Sequence, residues 1–100
     1  MTKVYARKHG DSYLVQAKGH ATGSVEVCAA VSGLLYALAG FLQNRRDAAR
    51  DVHIKLESAD AEIRFCGDEV ADAVFILTVI GLAQLEASTP EYIAVDYKEI

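Results

Sequence analysis

Two residues combine types and a spacing that can do covalent chemistry: His20, in Gly19-His20-Ala21, and Cys28, in Val27-Cys28-Ala29-Ala30-Val31-Ser32. A cysteine attacks as its thiolate, and an imidazole is the side chain best suited to take the thiol proton near neutral pH. Seven residues separate the pair, enough for the chain to reverse and bring imidazole and thiol into hydrogen-bond range. A helix starting just before Cys28 favours the thiolate through its positive end. Its free N–H groups are candidate donors to the oxyanion of a tetrahedral intermediate. Glu26 acts in the opposite direction, because a nearby carboxylate disfavours a thiolate. The plainer alternative is that Cys28 is a small core hydrophobe and His20 a solvated strand-end residue. Spacing does not separate the two readings, since catalytic pairs seldom lie close in sequence.

The other reactive side chains read as structural. Cys66 stands at the end of a strand and before a helix cap, as a structural thiol. His53 falls on the polar face of a strand, and His9 borders a turn. Three histidines and two cysteines without close spacing do not build a metal site. Arg45, Arg46 and Arg50 read as a basic cluster that caps the first helix. Asp68, Glu69 and Asp72 read as carboxylates answering the dipole of the second helix. The glycines are too scattered to form a phosphate loop. Nucleophilic chemistry by a thiol and an imidazole requires no cofactor.

The elements that position the pair follow from period and punctuation. Val4–His9 and Ser12–Gly19 are strands joined at Gly10-Asp11, a good hairpin turn. His20 leaves the second of them. After the short loop Ala21-Thr22-Gly23-Ser24, a helix is expected from Val25 to Arg46, with Ser24 as N-cap, Glu26 in its first turn and Arg45-Arg46 in its last. Val52–Ser58 alternates between a dry face (Val52, Ile54, Leu56) and a wet one (His53, Lys55, Glu57). Ala61–Cys66 pairs with it through a turn at Ala59-Asp60, placing Ile63 and Phe65 inside. Asp68 caps a second helix that runs to about Ala87 and is stopped at Ser88-Thr89-Pro90. Tyr92–Tyr97 is the last strand.

The order β-β-α-β-β-α-β, with a wet strand face, predicts an α+β domain spanning residues 1–100. Its two layers are a mixed five-stranded sheet and two helices on one face. Both helices are apolar nearly all round, more than one sheet can cover, which predicts a homodimer. At 100 residues, with 52% apolar and 24% charged, the chain is one globular domain. A net charge of −4 argues against nucleic acid as a partner. Val27–Leu42 is too short an apolar stretch to span a membrane. Met1–His9 lacks the apolar centre of a secretory leader, so a cytoplasmic protein with free thiols is expected.

GHA, a short glycine-containing loop and VCAAVSGL together resemble the ribosomal processing cysteine protease (Prp) family. The resemblance extends over nearly the whole chain to the ending PEYIAVDY. It implies a cysteine endopeptidase with a histidine–cysteine dyad on a dimeric scaffold. The family trims an N-terminal extension from large-subunit ribosomal protein twenty-seven, and a phage structural protein is a second possible substrate. The dyad then falls on His20 and Cys28, with Gly19, Ala29 and Ser32 supporting the site or the substrate, and Thr22, Gly23 and Ser24 forming a gating loop. Two departures stand out. The loop between histidine and cysteine is shorter than usual, and Val25 replaces an aspartate often found three places before the cysteine, with Glu26 beside it. A non-enzymatic dimeric adaptor on the same scaffold is the rival reading, and thiol reactivity separates the two.

Overall fold

Alternation along the strands decides which face of the sheet is dry. In the computed structural model, which describes residues 1–100, Thr2, Val4 and Ala6 are buried while Lys3 and Tyr5 face solvent. The same period buries Tyr13, Val15 and Ala17, then Ala61, Ile63 and Phe65. These residues belong to β1 (Thr2–His9), β2 (Ser12–Lys18) and β4 (Asp60–Gly67). With β3 (Ala49–Glu57) and β5 (Ile93–Glu99) they form one sheet in the order β3-β4-β2-β1-β5. Every neighbouring pair is antiparallel except β1 and β5, which run parallel, so the sheet is mixed as expected.

Two helices, α1 (Val25–Asn44) and α2 (Glu69–Ser88), cover the dry face. Ser24 caps α1 by accepting from the Val27 amide, and Asp68 caps α2 by accepting from Val70 and Ala71. Each helix buries one stripe: Val27, Val31, Leu35, Leu38 and Leu42 on α1, and Ala71, Phe75, Val79 and Leu82 on α2. The helices meet at Gly81, where an added Cβ would lie 2.8 Å from Leu34 Cδ2. By length and composition both could cross a membrane, but here each lies along the sheet. Phe65, Phe75 and Tyr13 make one aromatic cluster, with Tyr13 and Phe65 stacked at 4.8 Å between centroids.

Several expectations are corrected. α1 ends at Asn44, so Arg45 and Arg46 lie beyond its last turn. Arg45 is the C-cap, and its guanidinium reaches Asp47, a two-residue neighbour that outcompetes the diffuse helix end. Arg50 belongs to no cap and pairs with Asp11 at 2.7 Å. β3 starts at Ala49 and is an edge strand with a register shift between Arg50 and His53, where Asp51 takes φ 54°. The shift lifts Val52 off the dry face, and it is exposed, whereas Ile54 and Leu56 are half-buried. The β3–β4 turn is Ser58-Ala59, not Ala59-Asp60. His53 is half-exposed, with Nε2 3.8 Å from Glu62.

Candidate active site

β2 leaves the sheet at Gly19, and everything near Cys28 depends on how it leaves. Gly19 adopts φ +86°, and a Cβ there would lie 2.5 Å from the Met1 carbonyl oxygen, so no other residue fits. Three hydrogen bonds hold the exit. The Gly19 amide donates to Ala59 O at 2.9 Å, the Thr2 hydroxyl donates to Gly19 O at 3.1 Å, and Thr2 itself is tied to Tyr92 O. His20 follows and is exposed, with no hydrogen bond to its imidazole. Ala21 is buried, and its methyl pins the loop to the core.

Thr22 and Gly23 are exposed, and Gly23 turns at φ +94° beside the Tyr92 ring. The Ser24 amide donates to Ala21 O, and α1 begins. Cys28 thus arrives in the first turn or so of the helix, half-buried, with its sulfur facing Ala21. The Ala21 amide donates to Cys28 Sγ at 3.3 Å, and the thiol points back toward Ala21 O at 3.8 Å. The sulfur thus faces one donor and one acceptor of the same backbone residue.

The expected hydrogen bond between imidazole and thiol is absent, and the sulfur faces the Ala21 backbone. Both side chains nevertheless open on one cleft of about 410 Å³. Ser32 lies one helical turn beyond Cys28 and lines the same cleft, as do Gly19 and, further along α1, Leu35 and Tyr36. Its opposite wall is the β3–β4 hairpin from Leu56 to Ala61. Ala29 is exposed and does not line it. The loop residues Thr22, Gly23 and Ser24 also lie outside its lining.

Free helix-start amides were expected to face the oxyanion, but two of them are engaged. Val27 N–H donates to Ser24 Oγ and Cys28 N–H to Ser24 O. The Ala21 amide, aimed at the sulfur, is the donor that residue types alone do not reveal. A charged strip borders the cleft: Asp60 is bonded by both Lys18 and Lys55, which hold its carboxyl down at about 2. Cys66 lies apart on the open face of the sheet, 3.5 Å from Ser12 Oγ.

The model of the cysteine protease Prp family matches residues 1–94. Among solved structures, an essential ribosomal processing protease Prp from S. aureus, covalently linked to a product peptide, superposes with a TM-score of 0.83 at 20% identity. That match covers 98% of this chain and 100% of the other. The same S. aureus protease with a substrate peptide gives 0.74 at 18% identity, over 98% and 100% of the two chains. A protein from Streptococcus mutans gives 0.75 at 20% identity, over 100% and 96%. No curated protein matches the chain. The mixed sheet with two helices on one face is the fold of these structures, and the chain belongs to the cysteine protease Prp family.

Proposed function

We propose that this cysteine protease is an endopeptidase with Cys28 as nucleophile and His20 as its base. The observation that carries the reading is that His20 and Cys28 share one cleft, with the Ala21 amide directed at the sulfur. The imidazole is unbonded, so rotation about its side-chain torsions lets it approach the thiol as substrate displaces water. His20 takes the Cys28 proton, and the thiolate adds to the scissile carbonyl. The Ala21 N–H is placed to follow the negative charge from sulfur to the new oxyanion. His20 then protonates the departing amine as the C–N bond breaks, leaving a thioester. Water, losing a proton to His20, attacks the thioester and releases the acid and the thiol.

The substrate we infer is the N-terminal extension of large-subunit ribosomal protein twenty-seven. Support comes from family membership and from likeness in fold to a ribosomal processing protease seen with peptides. Ser32, on the cleft wall, supports the site, and Thr22-Gly23-Ser24 is the segment that moves to admit the peptide. The enzyme acts as a homodimer in the cytoplasm, with both thiols reduced. An adaptor that had closed its cleft would lack the open space beside Cys28.

Cleavage of the extended ribosomal protein tests this. Cys28→Ala abolishes cleavage, a loss on the order of 10³-fold or more. His20→Ala is nearly as damaging, Ser32→Ala less so, and Cys66→Ser retains activity. Loss of activity in Cys66→Ser with survival in Cys28→Ala would move the site to the other cysteine.

A further inference from the structure

The two edges of the sheet are protected unequally. On β5 the outward amide of Val95 donates to Glu86 Oε2 at 2.8 Å, so α2 engages that edge at one point. β3 forms the other edge, and hydrogen-bond parity shows what it offers. The Gly10-Asp11 turn makes His9 and Ser12 the closing bonded pair of the β1–β2 hairpin. Alternation from that pair directs the even residues of β2 to β1 and its odd residues to β4. Even residues of β4 are then bonded to β3, through Glu57↔Asp60, Lys55↔Glu62 and His53↔Arg64. The two-residue Ser58-Ala59 turn requires the same parity independently.

Ile54 and Leu56 therefore turn their N–H and C=O groups outward, and no side chain bonds them. Their side chains face the helix layer, and Leu56 lines the cleft that holds Cys28. The register shift at Arg50/His53 bends the strand away, so the regular edge is confined to the stretch beside the cleft. Edge strands are normally blunted, because unpaired backbone groups recruit another strand. Along α1, the seven steps from Cys28 to Leu35 rise roughly 10 Å, which matches about three residues of extended peptide.

We infer that the free edge of β3 at Ile54 and Leu56, on the cleft wall opposite Cys28, receives one part of the substrate as an added strand, from which the extended, unfolded peptide crosses the cleft to the thiol. Main-chain pairing supplies affinity that does not depend on the peptide's side chains, while alternate side chains enter the apolar floor of Val31, Leu35 and Leu56. This binding mode rests on the reading of Cys28 as a peptide-cleaving nucleophile.

The test is amide hydrogen exchange by NMR on Cys28→Ala protein. The probe is a peptide of about a dozen residues spanning the end of the ribosomal extension, with cleavage by wild-type protein measured in parallel. On binding, the Ile54 and Leu56 amides slow by about tenfold or more, while Lys55 and Glu57, already bonded to β4, change little. Binding that shifts Ser32 and Leu35 resonances without slowing Ile54 and Leu56 overturns the added strand and leaves the protease reading intact. Concentration-dependent protection of those amides before any peptide is added assigns the edge to a second copy and also overturns it. If the peptide neither binds nor is cleaved, the ribosomal substrate and the added strand fall together, while the labelling rate of Cys28 by iodoacetamide tests the nucleophile separately.

Discussion

Cys28 lies between a donor and an acceptor of the same residue, and that arrangement depends on a turn that only glycine makes. Gly19→Ala forces a Cβ against Met1 O in a left-handed conformation. Strain of this kind costs on the order of 1–3 kcal/mol. Urea denaturation of Gly19→Ala should show that loss, with a lower kcat/KM because His20 and Ala21 are displaced together. An unchanged midpoint and unchanged kcat/KM would show that the Gly19 turn does not position the site. That His20 and Cys28 open on one cleft was legible only in part: the spacing let the two side chains approach, and the family resemblance singled them out. The Ala21 amide was not legible, since a backbone donor leaves no mark on residue type. Nor was its consequence, that the resting thiol faces Ala21 in place of His20.

At the scale of elements, the caps Ser24 and Asp68 and the alternation in β1, β2 and β4 were readable directly. The β3 edge was read less well. Its alternation predicted a uniform dry face, but a bulge at Asp51 breaks the register, and bulges follow from pairing and not from period. The carboxylates at the start of α2 also do more than answer a dipole. Asp72 Oδ1 accepts from Lys8 Nζ at 2.5 Å and from the Tyr13 hydroxyl at 2.8 Å, fastening α2 to β1 and β2. Tyr13→Phe should lower stability by about 1 kcal/mol. The Lys8 ammonium, then the Tyr13 hydroxyl, hold the Asp72 carboxyl below its ordinary 3.8. Its contribution is therefore complete above about that value and is lost as pH falls through the folded-state value. Burial, then the bond to Asp72, pushes Tyr13 up to about 12. That contribution is present below pH 10, the ordinary phenol value, and is lost as pH rises toward 12. Wild-type stability measured by urea at stepped pH should fall in both windows, and Tyr13→Phe should diminish the alkaline fall, leaving the part that the Lys8 ammonium contributes through its bond to Asp72. An alkaline fall undiminished in Tyr13→Phe would assign it to Lys8 or another group.

For the whole molecule, one sheet and two helices leave apolar surface in water. Val25 is 81% exposed, Leu77 67% and Tyr36 63%, too much of each side chain for a helix whose partners are all within one chain. The homodimer proposed from the sequence rests on this surface. Light scattering at micromolar concentration should give twice the chain mass, and the mass of one chain would contradict it. Leu77→Lys should shift the balance toward monomer if α2 contributes to the interface. The excess was legible, because helices apolar on several faces announce surface that one sheet cannot cover. Which faces remain open depends on how α1 and α2 meet at Leu34 and Gly81, a contact that composition does not predict.

In the proposed mechanism His20 and Cys28 act as a pair, and thiol labelling reads that pairing without needing the natural substrate. Wild-type protein and His20→Ala are treated with iodoacetamide at neutral pH, and mass spectrometry assigns the modification to Cys28 or Cys66. Rapid labelling of Cys28 is expected in wild type, with slow labelling of Cys66 and a fall of about tenfold or more at Cys28 when His20 is removed. Labelling of Cys28 at the rate of an ordinary thiol, unchanged in His20→Ala, would contradict the pairing.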